Sequence, residues 1–244
     1  MLISDPLLTI LCASTAAVAL APLSAVAGFG GGILLLPVFA ALFGVRTAIP
    51  VLTLTQLGTG AGRIWLNRSR LEWPLIAWFA LGGIPGAALG GVLFAHAPLA
   101  TLQRLLGAFL ICVVVRRHIR PHPRAPRLPV FAGVGAVAGL GSTLLESIGP
   151  LTAPFLLAYG LTRGAYIGTE AAAGLTLNLT KIAVYDAGDI LTPRVLLFGA
   201  ALTPAILTGV WAGKKIVGCI GDRTFVAIVE AGLVVAGIVF IWNA

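Results

Sequence analysis

Long apolar stretches, separated by short polar or Gly/Pro-rich breaks, run through the whole chain. Five such stretches fall in each half, and each is predicted to form a helix. In the first half they cover residues 6–27, 29–44, 47–66, 73–95 and 99–115. In the second half they cover residues 129–145, 147–160, 164–185, 193–213 and 224–243. A helix needs about 20 apolar residues to cross a bilayer, so this pattern indicates a polytopic membrane protein.

Two of the stretches are too short to cross a bilayer as straight helices. A helix over residues 29–44 would measure about 24 Å against a hydrocarbon core of about 30 Å, and one over 147–160 would be shorter still. Both begin at residues that weaken helices, Gly30-Gly31-Gly32 in one half and Ser147-Ile148-Gly149-Pro150 in the other. Paired short segments that glycine or proline interrupts are typical of the binding sites of secondary transporters.

The two halves of the chain align with each other. Phe29 to Pro37 aligns with Glu146 to Pro154 at an offset of 117. Other matches occur at offsets of 118 or 119: Arg63 with Lys181, Pro74 with Pro193, Pro85 with Pro204, Gly90 with Gly209 and Arg104 with Arg223. We therefore predict an all-α fold of two transmembrane repeats, residues 1–115 and 128–244, joined by a basic linker at residues 116–127.

The composition excludes most soluble functions. The chain is 59% hydrophobic and 10% charged, whereas a soluble domain averages about 25% charged residues. The net charge of +8 comes mostly from short loops, so nucleic-acid binding is not expected. Walker A, GxSxG and HExxH motifs are absent, and the three cysteines lie in separate apolar stretches. We therefore expect neither an enzyme nor a bound cofactor or metal.

The basic residues predict the membrane topology. The linker holds five Arg and no acid, so it should be cytoplasmic. Five crossings per half place 12 of the 16 basic residues on the linker side, whereas four crossings place 10 there. The odd number is favoured, and it makes the repeats inverted with both termini outside. Two re-entrant segments per half would leave this parity unchanged. The expected location is the cell inner membrane.

Polar and glycine residues at the two helix breaks are candidates for an anion site. Gly30, Gly31 and Gly32 would expose backbone N–H groups at a helix start, which binds anions, or would allow close helix packing. The repeat partner carries Ser147 and Gly149, and Ser147 could bind a ligand or its own helix.

Two acids lie within apolar stretches, where acids are rare and are usually functional. Glu146 aligns with Phe29, so the two breaks differ chemically. Glu146 could carry a coupling proton or satisfy backbone N–H groups at the break. Glu170 is a second candidate for proton coupling, and it could instead pair with a basic residue.

Polar patches in the third and eighth stretches are further candidates. Thr55 and Gln56 in one half and Asn178 in the other could hydrogen-bond an anion or join helices. Arg63 and Lys181 either face a cavity and attract anions or extend to the membrane surface as anchors, and we favour anchoring.

The ordered motifs resemble the TauE/SafE family of sulfite-exporter-like permeases. In the first half they are Gly28 to Pro37, Gly44, Ala48 to Gln56, Arg68 to Trp73, Leu81 to Gly91 and Leu102 to Leu110. In the second half they are Ala153 to Leu157, Gly160, Ala165 and Gly209. The resemblance implies transport of small sulfur-containing anions, coupled to an ion gradient. Glu146 to Gly149 departs from the Gly-Gly-Gly run that is typical of the family at this point.

We therefore expect a secondary transporter, an exporter, of a small anion such as sulfite or an organosulfonate, which works by alternating access. Its partners would be the anion, the lipid bilayer and a coupling proton or other ion. A passive anion channel or uniporter is the main alternative, and an intramembrane enzyme is a weaker one. The sequence leaves open the anion, the direction, the coupling ion and the oligomeric state, a homo-oligomer included.

Overall fold

The computed structural model describes residues 32–96, 125–146, 148–161 and 163–216, with a few positions at 13–18, 98–115 and 234–242. These residues are helical, with no strand among them. Seven helices have defined bounds: α1 (Gly32–Phe43), α2 (Val45–Asn67), α3 (Trp73–His96), α4 (Val130–Leu145), α5 (Gly149–Ala158), α6 (Arg163–Ala187) and α7 (Pro193–Ile216). A 3₁₀ turn at Arg68–Arg70 follows α2.

These helices agree with the predicted apolar stretches to within a few residues. The two short stretches form short helices, α1 with 12 residues and α5 with 10. They measure about 18 Å and about 15 Å, well below the thickness of a bilayer core. The predicted segments at 6–27, 99–115 and 224–243 lie mostly outside the described residues, as does most of the linker.

Each short helix ends at a glycine with positive φ. Gly44 has φ 79° and separates α1 from α2, and Gly160 has φ 95° and lies between α5 and α6. Glycine adopts this conformation without the steric cost of a Cβ, so the chain can turn sharply into the following long helix. The two glycines lie 116 residues apart, at corresponding points of the two halves.

Helix packing follows the sequence repeat. The long helices α2 and α6, which occupy equivalent positions in the two halves, pack against each other. α3 packs on α6 and its counterpart α7 packs on α2, while α1 packs on α2 and α5 on α6. Each of these contacts made by a helix of the first half therefore has a counterpart made by the equivalent helix of the second half. Phe43 of α1 and Phe198 of α7, with ring centroids 4.9 Å apart, lie in the buried core.

Helices α3 and α4 approach each other closely through glycines. A Cβ at Gly86 would lie 2.4 Å from the carbonyl oxygen of Ala136, and one at Gly139 would lie 2.4 Å from that of Gly83. Small residues spaced by four allow such backbone contact between membrane helices. The two halves are therefore joined here by backbone packing that a larger side chain would prevent.

Among the described residues, one helix is long and apolar enough to cross a bilayer by length and composition, Trp73–His96. Two shorter apolar stretches lie at Val130–Thr143 and Pro193–Thr208. Large apolar side chains of α3 point away from the core, among them Leu81, Leu89 and Leu93, each more than half exposed. Such a surface suits lipid as the surrounding solvent.

We expect Gly139→Ala to lower the free energy of unfolding by about 1–3 kcal/mol, the usual cost of overpacking. Gly133→Ala is the matched control on the same helix, because a Cβ there meets nothing within 4 Å. It should be neutral or slightly stabilising, since alanine favours helix. Thermal unfolding of the purified protein in detergent measures both, and equal melting temperatures for the two variants would contradict close α3–α4 packing.

Candidate functional site

A pocket lies between α2 and α6. From α2 it is lined by Gln56, Gly60 and Arg63, and from α6 by Gly174, Asn178 and Lys181. Each set has the spacing i, i+4, i+7, which places it on one helix face. Each member of the second set lies 118 residues after a member of the first. The two halves thus contribute the same three positions, and each contributes one amide, one glycine and one cation.

The rest of the lining comes mainly from the second half. It consists of Ser142 and Glu146 at the end of α4, Ile148 before α5, and Glu170, Ala171 and Leu175 of α6. The cavity inside the pocket has a volume of about 20 Å³. This is room for about one water molecule. The pocket is therefore narrow, and polar side chains occupy most of it.

A buried ion pair lies at one end of the pocket. Lys181 Nζ is 2.8 Å from Glu146 Oε1, and their side chains are 1% and 0% exposed. Lys181 also donates to the carbonyl oxygen of Ser142 at 3.3 Å. Glu146 follows the last residue of α4 with φ 50°, in the left-handed region. The helix break thus turns an acidic side chain towards α6.

Two side chains of α2 bind the same carboxylate. Thr53 Oγ1 is 2.9 Å from Glu146 Oε2 and 3.0 Å from the carbonyl oxygen of Ile49, so its single proton serves either acceptor. Gln56 Nε2 donates to the backbone carbonyl of Glu146 and lies 3.5 Å from Oε2. Glu146 is therefore held by donors from both halves of the chain.

A second ion pair lies at the other end of the pocket. Arg63 Nη1 is 2.9 Å from Glu170 Oε2. The Arg63 side chain is 27% exposed, whereas that of Glu170 is 3% exposed. Among the four charged side chains of the two ion pairs, that of Arg63 is therefore the most exposed to solvent. With both pairs ionised, the four side chains carry no net charge.

Asn178 contrasts with these paired groups. It is 6% exposed and lines the pocket. Within the part of the chain that the structure describes, its amide has no hydrogen-bond partner. Its amide could therefore donate to a ligand, and its role as a binding residue stays a prediction.

The other predicted site residues have varied positions. Gly30, Gly31 and Ser147 lie outside the described residues. Gly32 is the first residue of α1, and Gly149 is the buried first residue of α5, beside Ile148 of the lining. Thr55 does not line the pocket, because its hydroxyl donates to the carbonyl oxygen of Leu52 at 2.9 Å.

The interpretation of Lys181 as a surface anchor is wrong. Its ammonium lies inside the fold against a carboxylate, six residues before α6 ends. Arg63 likewise lies within α2 and pairs with an acid, as the sequence left open for Glu170. The hydroxyls of Ser142 and Thr143 donate to the carbonyl oxygen of Gly139 in their own helix.

Sequence reasoning missed Thr53, Gly60 and Tyr185 as parts of this region. Thr53 belonged to a recognised polar patch but carried no sign of its bond to Glu146. Tyr185 lies one turn after Lys181 and is fully buried, and its hydroxyl has no hydrogen-bond partner among the described residues.

The family comparison now bears on this pocket. The family model described as sulfite exporter TauE/SafE matches residues 13–240. The chain belongs to the TauE/SafE family. The resemblance inferred from the motifs is thereby confirmed over nearly the whole chain. A search of curated proteins and a search of solved structures each gave no match.

Membership in the TauE/SafE family makes the chain a membrane-integral transporter of the anion-exporter type. It also agrees with the expectation that the chain is not an enzyme. The described residues contain no group of three or more His, Cys, Asp or Glu that could hold a metal ion.

We expect Lys181→Met to lower the free energy of unfolding by about 3–5 kcal/mol, because it leaves the Glu146 carboxylate buried without its cation. The double variant Lys181→Met/Glu146→Gln should recover most of this loss, since neither charge remains. Thermal unfolding of the purified protein measures both.

The exposed Arg127→Gln variant is the control, and it should change stability by less than about 0.5 kcal/mol. Equal losses in the single and double variants would contradict the pairing of Lys181 with Glu146.

Proposed function

We propose that this TauE/SafE protein is a secondary transporter that exports a small sulfur-containing anion, such as sulfite or an organosulfonate, across the cell inner membrane. The observation that carries the proposal is the pocket built from the same three positions of each half. Substrate sites of repeat transporters lie between their repeats. A pocket with two cations, two amides and two glycines suits a small oxyanion.

The substrate would lie between α2 and α6. Gln56 and Asn178 would hydrogen-bond it, and Arg63 and Lys181 would attract it. Gly60 and Gly174 keep side chains out of the space between these groups. The N–H of Gly149 at the start of α5 would add one donor, because Pro150 has no N–H and those of Leu151 and Thr152 donate to Ile148. Ser147 before it, and the N–H groups of Gly30 to Gly32 in the other half, would add further donors.

Alternating access follows from the same arrangement. The two repeats, 1–115 and 128–244, would move against each other around the pocket while the cytoplasmic linker at 116–127 joins them. Arg63 and Lys181 belong to the pocket and not to loops. Without these two residues, five crossings per half place 11 basic residues on the linker side and 3 on the opposite side. Four crossings per half place 8 on the linker side and 6 on the opposite side. This supports inverted repeats with both termini outside.

Coupling to an ion gradient is supported by the two buried acids. Glu146 and Glu170 each hold a cation that an anionic substrate would also seek. Binding of substrate would therefore alter the surroundings of one or both carboxylates, which suits a proton as the coupling ion. A passive channel or uniporter remains the alternative function, and it would not couple the anion to a proton.

Sulfite flux into proteoliposomes tests this function. We expect saturable sulfite flux and accumulation driven by an imposed pH gradient, with sulfate, thiosulfate, sulfoacetate and acetate as a panel for specificity. Flux that only follows the sulfite gradient would favour a channel or uniporter. Absence of flux for every anion would contradict transport of this class.

Gly60→Leu places a side chain in the pocket and should lower sulfite flux by about tenfold or more, the effect of about 1.4 kcal/mol in binding. Gly62→Leu is the matched control on the same helix, because residue 62 is exposed with nothing within 4 Å of a Cβ. If the two variants transport equally well, the pocket is not on the substrate path.

A further inference from the structure

The Glu146 carboxylate lies where an anionic substrate would bind. It faces Lys181 Nζ at 2.8 Å, Thr53 Oγ1 at 2.9 Å and Gln56 Nε2 at 3.5 Å. These donors come from α2 and α6, the two helices that form the pocket. A carboxylate is itself a small oxyanion, so the protein's own side chain fills a site suited to one.

A substrate cannot simply join Glu146 in this site. The remaining space of about 20 Å³ is room for about one water molecule, less than any oxyanion of several heavy atoms needs. The anion therefore has to take the place of the carboxylate on Lys181. This exchange moves Glu146 away from its cation.

A displaced Glu146 needs another way to lose its charge. A carboxylate without a partner is costly in a buried site, and a proton removes that cost. The charged and titratable groups around it are Lys181, Tyr185 and Glu170 of α6 and Arg63 of α2, with Thr53 and Gln56 as neutral donors. Arg63 is engaged by Glu170 at 2.9 Å. Within the described part of the pocket, no second cation is therefore available to Glu146.

Tyr185 offers a place for the protonated acid. Its side chain is fully buried one turn after Lys181 on the same face of α6, and its hydroxyl has no hydrogen-bond partner in the described ranges. A phenol oxygen accepts a hydrogen bond from a carboxylic acid. The same helix thus supplies Lys181 for the substrate and Tyr185 for the displaced side chain.

We propose that a monoanionic oxyanion exchanges places with the Glu146 carboxylate, which takes up one proton, so that anion and proton cross the membrane together without net charge movement. The substrate class is a small anion whose head presents at least two acceptor oxygens, namely a sulfonate, hydrogen sulfite or a carboxylate. After release of both, the Lys181–Glu146 pair forms again and the empty carrier returns. Such a symport follows the combined gradients of anion and proton, so export proceeds when the outward anion gradient exceeds the inward proton gradient. This inference rests on the proposed transport function.

Proteoliposomes under a potassium diffusion potential test the charge balance. The probes are sulfite and isethionate, whose sulfonate stays monoanionic, and protein-free liposomes correct for passive entry. For a transported species with one charge, 100 mV changes the accumulation ratio by about fifty-fold, from about 2.3 kcal/mol per charge. We expect the accumulation ratio of each probe to stay the same when the potential is imposed. We expect an imposed pH gradient to drive accumulation.

Glu146→Gln separates the proton from the anion. Its amide cannot take a proton, so we expect anion-for-anion exchange to persist while accumulation driven by the pH gradient is lost. Glu170→Gln is the matched variant, because it removes the other buried acid. Whatever its transport rate, its accumulation of anion should still follow the pH gradient and should still not depend on the membrane potential.

Each outcome decides the proposal. Wild-type sulfite flux that responds to the potential would overturn it and leave the transport function intact, and this test needs no variant to fold. Accumulation by Glu146→Gln under the pH gradient would overturn it as well. Absence of flux for both probes would overturn the transport function, and this proposal with it.

Discussion

The buried pair of Lys181 and Glu146 is the interaction on which the rest of the site depends. Two charges that are almost fully withdrawn from solvent are tolerated only with good geometry and further hydrogen bonds. Those bonds come from Thr53 and Gln56 on α2, so the pair holds the first half of the chain against the second. The close glycine packing of α3 on α4 supports the same junction from the other side. A ligand that enters the pocket therefore acts on the contact between the halves.

The pocket lies where the two matching long helices meet. Three positions of α2 and the three positions of α6 that align with them in the sequence line the same pocket. The two sets differ in detail, because the amide is the first member of one set and the second member of the other. The acids differ further, since Glu146 has Phe29 as its counterpart. The result is a site with two similar faces and only one fully buried ion pair.

Much of the fold could be predicted from the sequence, because apolar length and Gly/Pro breaks are local signals. The bounds of α3 and α4 follow from such signals almost to the residue. The partner of Lys181 could not be predicted, because Glu146 lies 35 residues away and contact depends on how α4 and α6 pack. Thr55 resembled a ligand residue because the sequence does not show where a hydroxyl points. In the structure its hydroxyl donates to its own helix. Gln56 and Asn178 could be singled out because amides are rare within apolar helices, and both line the pocket.

The most direct measurement is a structure of the protein with selenite, a heavier analogue of sulfite that anomalous scattering locates. The expected result is one selenium peak between α2 and α6, with the selenite oxygens accepting hydrogen bonds from Lys181 Nζ and the Asn178 amide, and with the Glu146 side chain moved off the ammonium. A selenium site elsewhere, with the Lys181–Glu146 pair unchanged, would contradict the assignment of this pocket to the anion.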